Sequence, residues 1–82
     1  SLNVVGLFSA DLAELNPTEH EVVRHVARYA PISAREVTER FGPDPVQSLV
    51  DRRLLVQVGD RLDTYWDTFR DFLNTGRIPV QD

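Results

Sequence analysis

The sequence predicts a mainly α domain with one small β-hairpin, and three observations carry that expectation. Three segments in succession open with a short polar residue followed three positions later by Glu or Gln, the signature of a capped helix start: "NPTE" (Asn16 to Glu19), "SARE" (Ser33 to Glu36) and "DPVQ" (Asp44 to Gln47). Beyond them a run rich in leucine and valine is interrupted by Gly59 and Asp60, the residue types of a tight hairpin turn. The chain has 82 residues and no cysteine, so neither a disulfide nor a thiolate zinc site can stabilise it; apolar packing and good helix ends must do so.

Each element follows from its local pattern. The opening "LNVVGLFSADLAEL" is interrupted by Gly6, and its spacing suits an extended lead-in or a short helix, for which Asp11 to Leu15 is the expected span. After Asn16, the residues Val22, Val23, Val26, Ala27 and Ala30 fall on one helical stripe, opposite Glu21, Arg24, His25 and Arg28, and Pro31 ends the helix. Ala34, Val37 and Phe41 define a second helix of about two turns, stopped at Gly42 and Pro43. A third, with Asp44 as N-cap and Pro45 at its first position, buries Val46, Leu49 and Val50. Strands from about Leu54 to Val58 and Arg61 to Tyr65 form the hairpin, and Trp66, Phe69 and Leu73 make "WDTFRDFL" an amphipathic helix ended at Asn74 to Gly76. The expected core is Val22, Val23, Val26, Val37, Phe41, Leu49, Val50, Leu54, Leu55, Tyr65, Trp66 and Phe69.

Composition narrows the functional classes. Hydrophobic residues make up 41% and charged residues 27%, as in ordinary globular domains, and no run approaches the roughly 20 apolar residues that span a bilayer. The net charge of −4 opposes sequence-independent nucleic-acid binding, which depends on basic side chains neutralising phosphates. Without methionine, and starting at Ser1, the chain is expected to be one domain of a larger cytoplasmic polypeptide. Nothing in it builds a catalytic, cofactor-binding or metal site. Ser33 is accounted for as an N-cap, and no G-x-S-x-G turn occurs. His20 and His25 project about 140° apart on one helix, so they do not form a facing metal pair.

Two short helices joined by "FGPD", preceded by a longer helix and followed by a hairpin, resemble the winged helix-turn-helix, with the hairpin as the wing. The resemblance covers 16–65 and rests on "LNPTEHEVVRHVARYAPISAREVTERFG" and "SLVDRRLLVQVGDR"; it implies a three-helix core plus wing, with 1–15 as a lead-in or short helix, 66–76 as a closing C-terminal helix and 77–82 as a tail or linker. The ending "GDRLDTYWDTFRDFL" is similar to the segment closing the winged-helix module that follows the nucleotide-binding core of AAA+ and STAND-type NTPases, where the helix has the form "HDxFRDYL". Asp67, Phe69, Arg70, Asp71, Phe72 and Leu73 match it, and Trp66 stands where that family carries histidine. No phosphate loop ending in Gly-Lys-Ser/Thr is present.

The resemblance implies two functional readings. One is a non-enzymatic docking module that contacts the rest of the parent polypeptide, an NTPase, or a protein partner, with Asp67, Arg70 and Asp71 on its outer face. The alternative is DNA binding by the helix 45–53 and the wing at 59–61, through Arg35, Gln47, Ser48, Arg52, Arg53 and Arg61. On that surface Asp44 and Asp51 would sit near phosphates, and Asp60 and Asp63 would oppose Arg61 in the wing.

Overall fold

The structure, a computed structural model, describes residues 4–76. The expected tail at 77–82 lies outside the described residues, as do the first three positions of the lead-in. The elements run α1 (Val4–Ala13), α2 (Pro17–Tyr29), β1 (Ile32–Ser33), α3 (Ala34–Phe41), α4 (Pro43–Asp51), β2 (Leu55–Val58), β3 (Arg61–Thr64) and α5 (Asp67–Thr75). The domain is therefore mainly helical, with a three-stranded antiparallel sheet in the order β1-β3-β2. None of the described helices is long and apolar enough to cross a membrane.

Helix α2 forms as its sequence dictates. Asn16 Oδ1 accepts from the Glu19 N–H and the Asn16 N–H donates to Glu19 Oε1, both at 2.8 Å, while Pro17 occupies the first turn, where a missing donor costs nothing. Its apolar stripe, Val22, Val23, Val26 and Ala27, is buried, and the helix touches α3, α4, α5 and β3. In α3 the Ser33 hydroxyl accepts from the Glu36 N–H at 3.2 Å. The hairpin pairs Leu55 with Thr64 and Val58 with Arg61, and Gly59 takes the positive φ of 62° that its turn requires.

Four features differ from the sequence-based expectation. Helix α1 spans Val4–Ala13 rather than Asp11 to Leu15, because Phe8 and Leu12, four apart, lie on one face and Phe8 packs on Phe69 and Phe72 at centroid distances of 4.8 and 5.9 Å. Helix α4 starts at Pro43, with Gly42 as its N-cap at φ 91°; Asp44 falls inside the first turn, and Gln47 donates to Asp51 Oδ1 at 2.8 Å instead of closing a capping box. Strand β1 was not expected; Ile32 and Ser33 pair with Leu62 and Arg61 and add a third strand to the hairpin.

The fourth difference concerns the core. Tyr65 and Trp66 were expected inside but are 42% and 54% exposed. Strand parity explains the first: Leu62 and Thr64 face inward, so Tyr65, the next residue, turns outward. Helix start explains the second. Trp66 is the extended N-cap of α5, outside the stripe of Phe69, Phe72 and Leu73 that packs inward. Val22, Val23, Val26, Val37, Leu49, Leu54, Leu55 and Phe69 are buried as expected, Phe41 and Val50 pack half-buried against them, and Phe8, Leu12, Leu15, Val46 and Leu62 complete the cluster.

Phe69 is fully buried, so Phe69→Ala should lower stability in urea denaturation by about 3–5 kcal/mol. Trp66→Ala should cost under about 1 kcal/mol, as expected of a side chain outside the core.

Candidate interaction surfaces

Of the six residues expected to face DNA, Ser48 in α4 and Arg52 at its C-cap belong to a polar tether. Ser48, half-buried, donates its hydroxyl to Glu19 Oε2 across 29 positions of sequence. Arg52 Nε donates to Ser48 Oγ at 3.4 Å, and its Nη1 lies 3.5 Å from Glu14 Oε2. The chain of contacts Glu14, Arg52, Ser48, Glu19 and Asn16 thus fastens α4 to the start of α2. Glu19 is 6% exposed, and no described buried side-chain polar atom is left without a partner. Its carboxyl is held below the ordinary glutamate range by the Ser48 hydroxyl first and the Asn16 N–H second, against the opposing effect of burial, with smaller attractions from Arg52 and His20.

Like Arg52, the remaining four are exposed. Arg35 pairs with Glu39 at 3.2 Å, Arg61 with Asp60 at 3.8 Å, and Gln47 is bonded to Asp51. Arg53 has a backbone role. At φ 63° it closes α4: its N–H donates to the Val50 carbonyl, the Leu54 N–H donates to the Leu49 carbonyl, and Leu49 and Leu54 are both buried. This is the Schellman arrangement, whose left-handed position usually holds glycine. The Arg53 guanidinium adds a bond to the same Val50 carbonyl at 3.3 Å.

The structure therefore does not gather these residues into one free basic surface. Beside the N-terminal end of α4 lies an open concavity of about 350 Å³ lined by Asn16, Thr18, Glu19, Asp44, Pro45 and Ser48, with two carboxylates and no cation in its walls. Such a lining repels phosphate.

On the α5 face, Arg70 lies 3.7 Å from Asp63 and 3.6 Å from Asp67, joining β3 to α5. Asp67 is exposed, whereas Asp71 is half-buried and its backbone carbonyl accepts from the Thr75 hydroxyl at 2.7 Å. Asn74 Nδ2 donates to the Ala27 carbonyl at 3.0 Å and fixes the far end of α5 on α2. Directly before these charges stand Tyr65 and Trp66, their rings edge to face at 5.0 Å. Sequence reasoning assigned this ring pair to the core and missed it as surface. The available signal was strand parity, since Tyr65 follows an alternation that already places Leu62 and Thr64 inward.

The tether implies a pH dependence. A carboxyl with a lowered folded pKa contributes stability that is fully present above the unfolded pKa, about 4.3, and is lost as pH falls through the folded value. Glu19→Gln should therefore be less stable than the parent at pH 7, and the gap should narrow below about pH 4; equal stability at pH 7 would contradict the tether. At Arg53, valine should lower stability by about 1–2 kcal/mol because a β-branched residue resists positive φ, whereas glycine should not lower it.

Among the described residues no cluster of His, Asp and Glu is arranged to hold a metal ion. Comparison of the chain with protein-family models, with curated proteins and with solved structures returned no match.

Proposed function

We propose that this chain is a non-catalytic winged-helix module of a larger cytoplasmic polypeptide, an NTPase of the AAA+ or STAND kind, that docks on the rest of that polypeptide or on a protein partner. The observation that carries the docking reading is the exposed Tyr65–Trp66 pair, followed at once by Asp67 and Arg70. Tyrosine, tryptophan and arginine are the residues over-represented where binding energy concentrates, and an edge-to-face ring pair is already organised before a partner arrives. The element order supports the winged-helix part: α2, α3 and α4 are followed by a hairpin whose first strand packs on α4.

DNA binding by α4 and the hairpin is the second reading. In its favour, Arg35, Gln47 and Arg61 are exposed, and the surface ion pairs of Arg35 and Arg61 are weak enough, at about 0–1 kcal/mol, for a phosphate to displace the carboxylate. Against it stand the engaged Ser48 and Arg52, the backbone role of Arg53 and the acidic concavity beside α4.

Two measurements separate the readings. Titration of the chain against a generic duplex at 50 and 200 mM salt is expected to show no saturable binding; affinity that falls steeply with salt and disappears in Arg52→Ala would install the DNA reading instead. In the natural full-length polypeptide, amide exchange around Tyr65 and Trp66 is expected to be slower than in the 82-residue chain, and Tyr65→Ala with Trp66→Ala should abolish that difference. Identical exchange in the two contexts would reject intramolecular docking.

A further inference from the structure

Away from the α5 face, the arginines among the described residues divide into those with a bonded partner and those without a carboxylate nearby. Arg35, Arg52, Arg61 and Arg70 each lie within 4.0 Å of a carboxylate, and Arg53 is bonded to a backbone carbonyl. Arg24, Arg28 and Arg40 have no carboxylate within that distance among the described residues. All three are exposed, on the second half of α2 and the end of α3.

Two of these unpaired cations are attached to one row of rings. The Arg28 guanidinium lies over Tyr29 at 5.8 Å, Tyr29 meets His25 at 5.0 Å, His25 meets Phe41 edge-on at 5.5 Å, and the Arg40 guanidinium lies over Phe41 at 5.2 Å. Tyr29 is 56% exposed, while His25 and Phe41 are half-buried. Arg24 stands one helical turn before Arg28. Glu21 and Glu36, one turn before His25 and Arg40, form no ion pair with the row.

A guanidinium held over a ring keeps its edge N–H donors free, and that edge matches the two oxygens of a carboxylate. Holding it in place beforehand reduces the ordering cost of binding. In a chain of net charge −4, a face with three unpaired arginines is complementary to an acidic partner. Two observations favour a polypeptide over nucleic acid. His25 and Phe41 are half-buried and every ring in the row already contacts a neighbouring ring at a steep angle, so base stacking is poorly served, and three cations are few for a phosphate backbone.

We propose that the row formed by Arg28, Tyr29, His25, Phe41 and Arg40, with Arg24 beside it, is a binding surface for an acidic polypeptide segment. It is separate from the Tyr65–Trp66 surface and does not depend on that reading.

The test is fluorescence anisotropy of a labelled hexaglutamate peptide titrated with the 82-residue chain at 50 mM and 300 mM salt. Saturable binding that weakens at the higher salt is expected. The Arg28→Ala, Arg40→Ala double variant should weaken it at least five-fold, while Arg35→Ala, Arg61→Ala should leave it within two-fold. Tyr29→Ala should also weaken binding, with circular dichroism melts verifying that each variant is folded. No binding at 50 mM salt, equal loss in the two double variants, or tighter binding of a twelve-nucleotide oligothymidine than of the peptide would each overturn the proposal. Should either Arg28→Ala or Tyr29→Ala unfold the chain, Arg24→Ala with Arg40→Ala replaces them, with the same five-fold loss expected and an unchanged affinity counting against the surface.

Discussion

Val22, Val23 and Val26 have no accessible surface, and the helix that carries them is in contact with α3, α4, α5 and β3. A chain of 82 residues without a disulfide has little apolar surface to spare, so packing around this stripe sets where the other elements lie. Each valine is stiff at its first side-chain torsion and loses little rotamer freedom on burial. The position of α4 follows from its seat on α2, and the position of the hairpin from Leu54, Leu55 and Leu62 closing the same core.

Apolar packing alone leaves helix rotation loosely specified, and the polar tether restricts it. Glu19 satisfies the start of its own helix with one carboxylate oxygen and receives the Ser48 hydroxyl on the other. A rotation of α4 that moved Ser48 away would leave Glu19 buried with an unmet acceptor, which is more costly than the bond itself is favourable. Residues that a sequence reader assigns to a DNA-facing helix thus serve to orient that helix.

How much of this was legible in the sequence depended on how local the cause was. The Asn16 to Glu19 capping box, the Ser33 cap, the Gly59 turn and the inward stripe of α5 each arise from interactions within a few residues, and each was readable. Helix α1 was placed too late because its anchor, Phe8 on Phe69, spans nearly the whole chain. Trp66 was misplaced by extending the period of α5 one residue past its true start, where the backbone is still extended. The candidate surface residues were named correctly as polar and exposed in several cases, but pairing with Glu14, Glu19 and Asp63 is a tertiary property that helical spacing does not encode.

The contact of Phe8 with Phe69 and Phe72 joins the first helix to the last. Tension applied to these two helices would therefore load this phenylalanine clasp and, through α5, the Asn74 bond to α2. Separation of α1 from α5 would remove Phe8 from Phe69, whereas the α2 to α4 tether is built from other residues and does not depend on that contact.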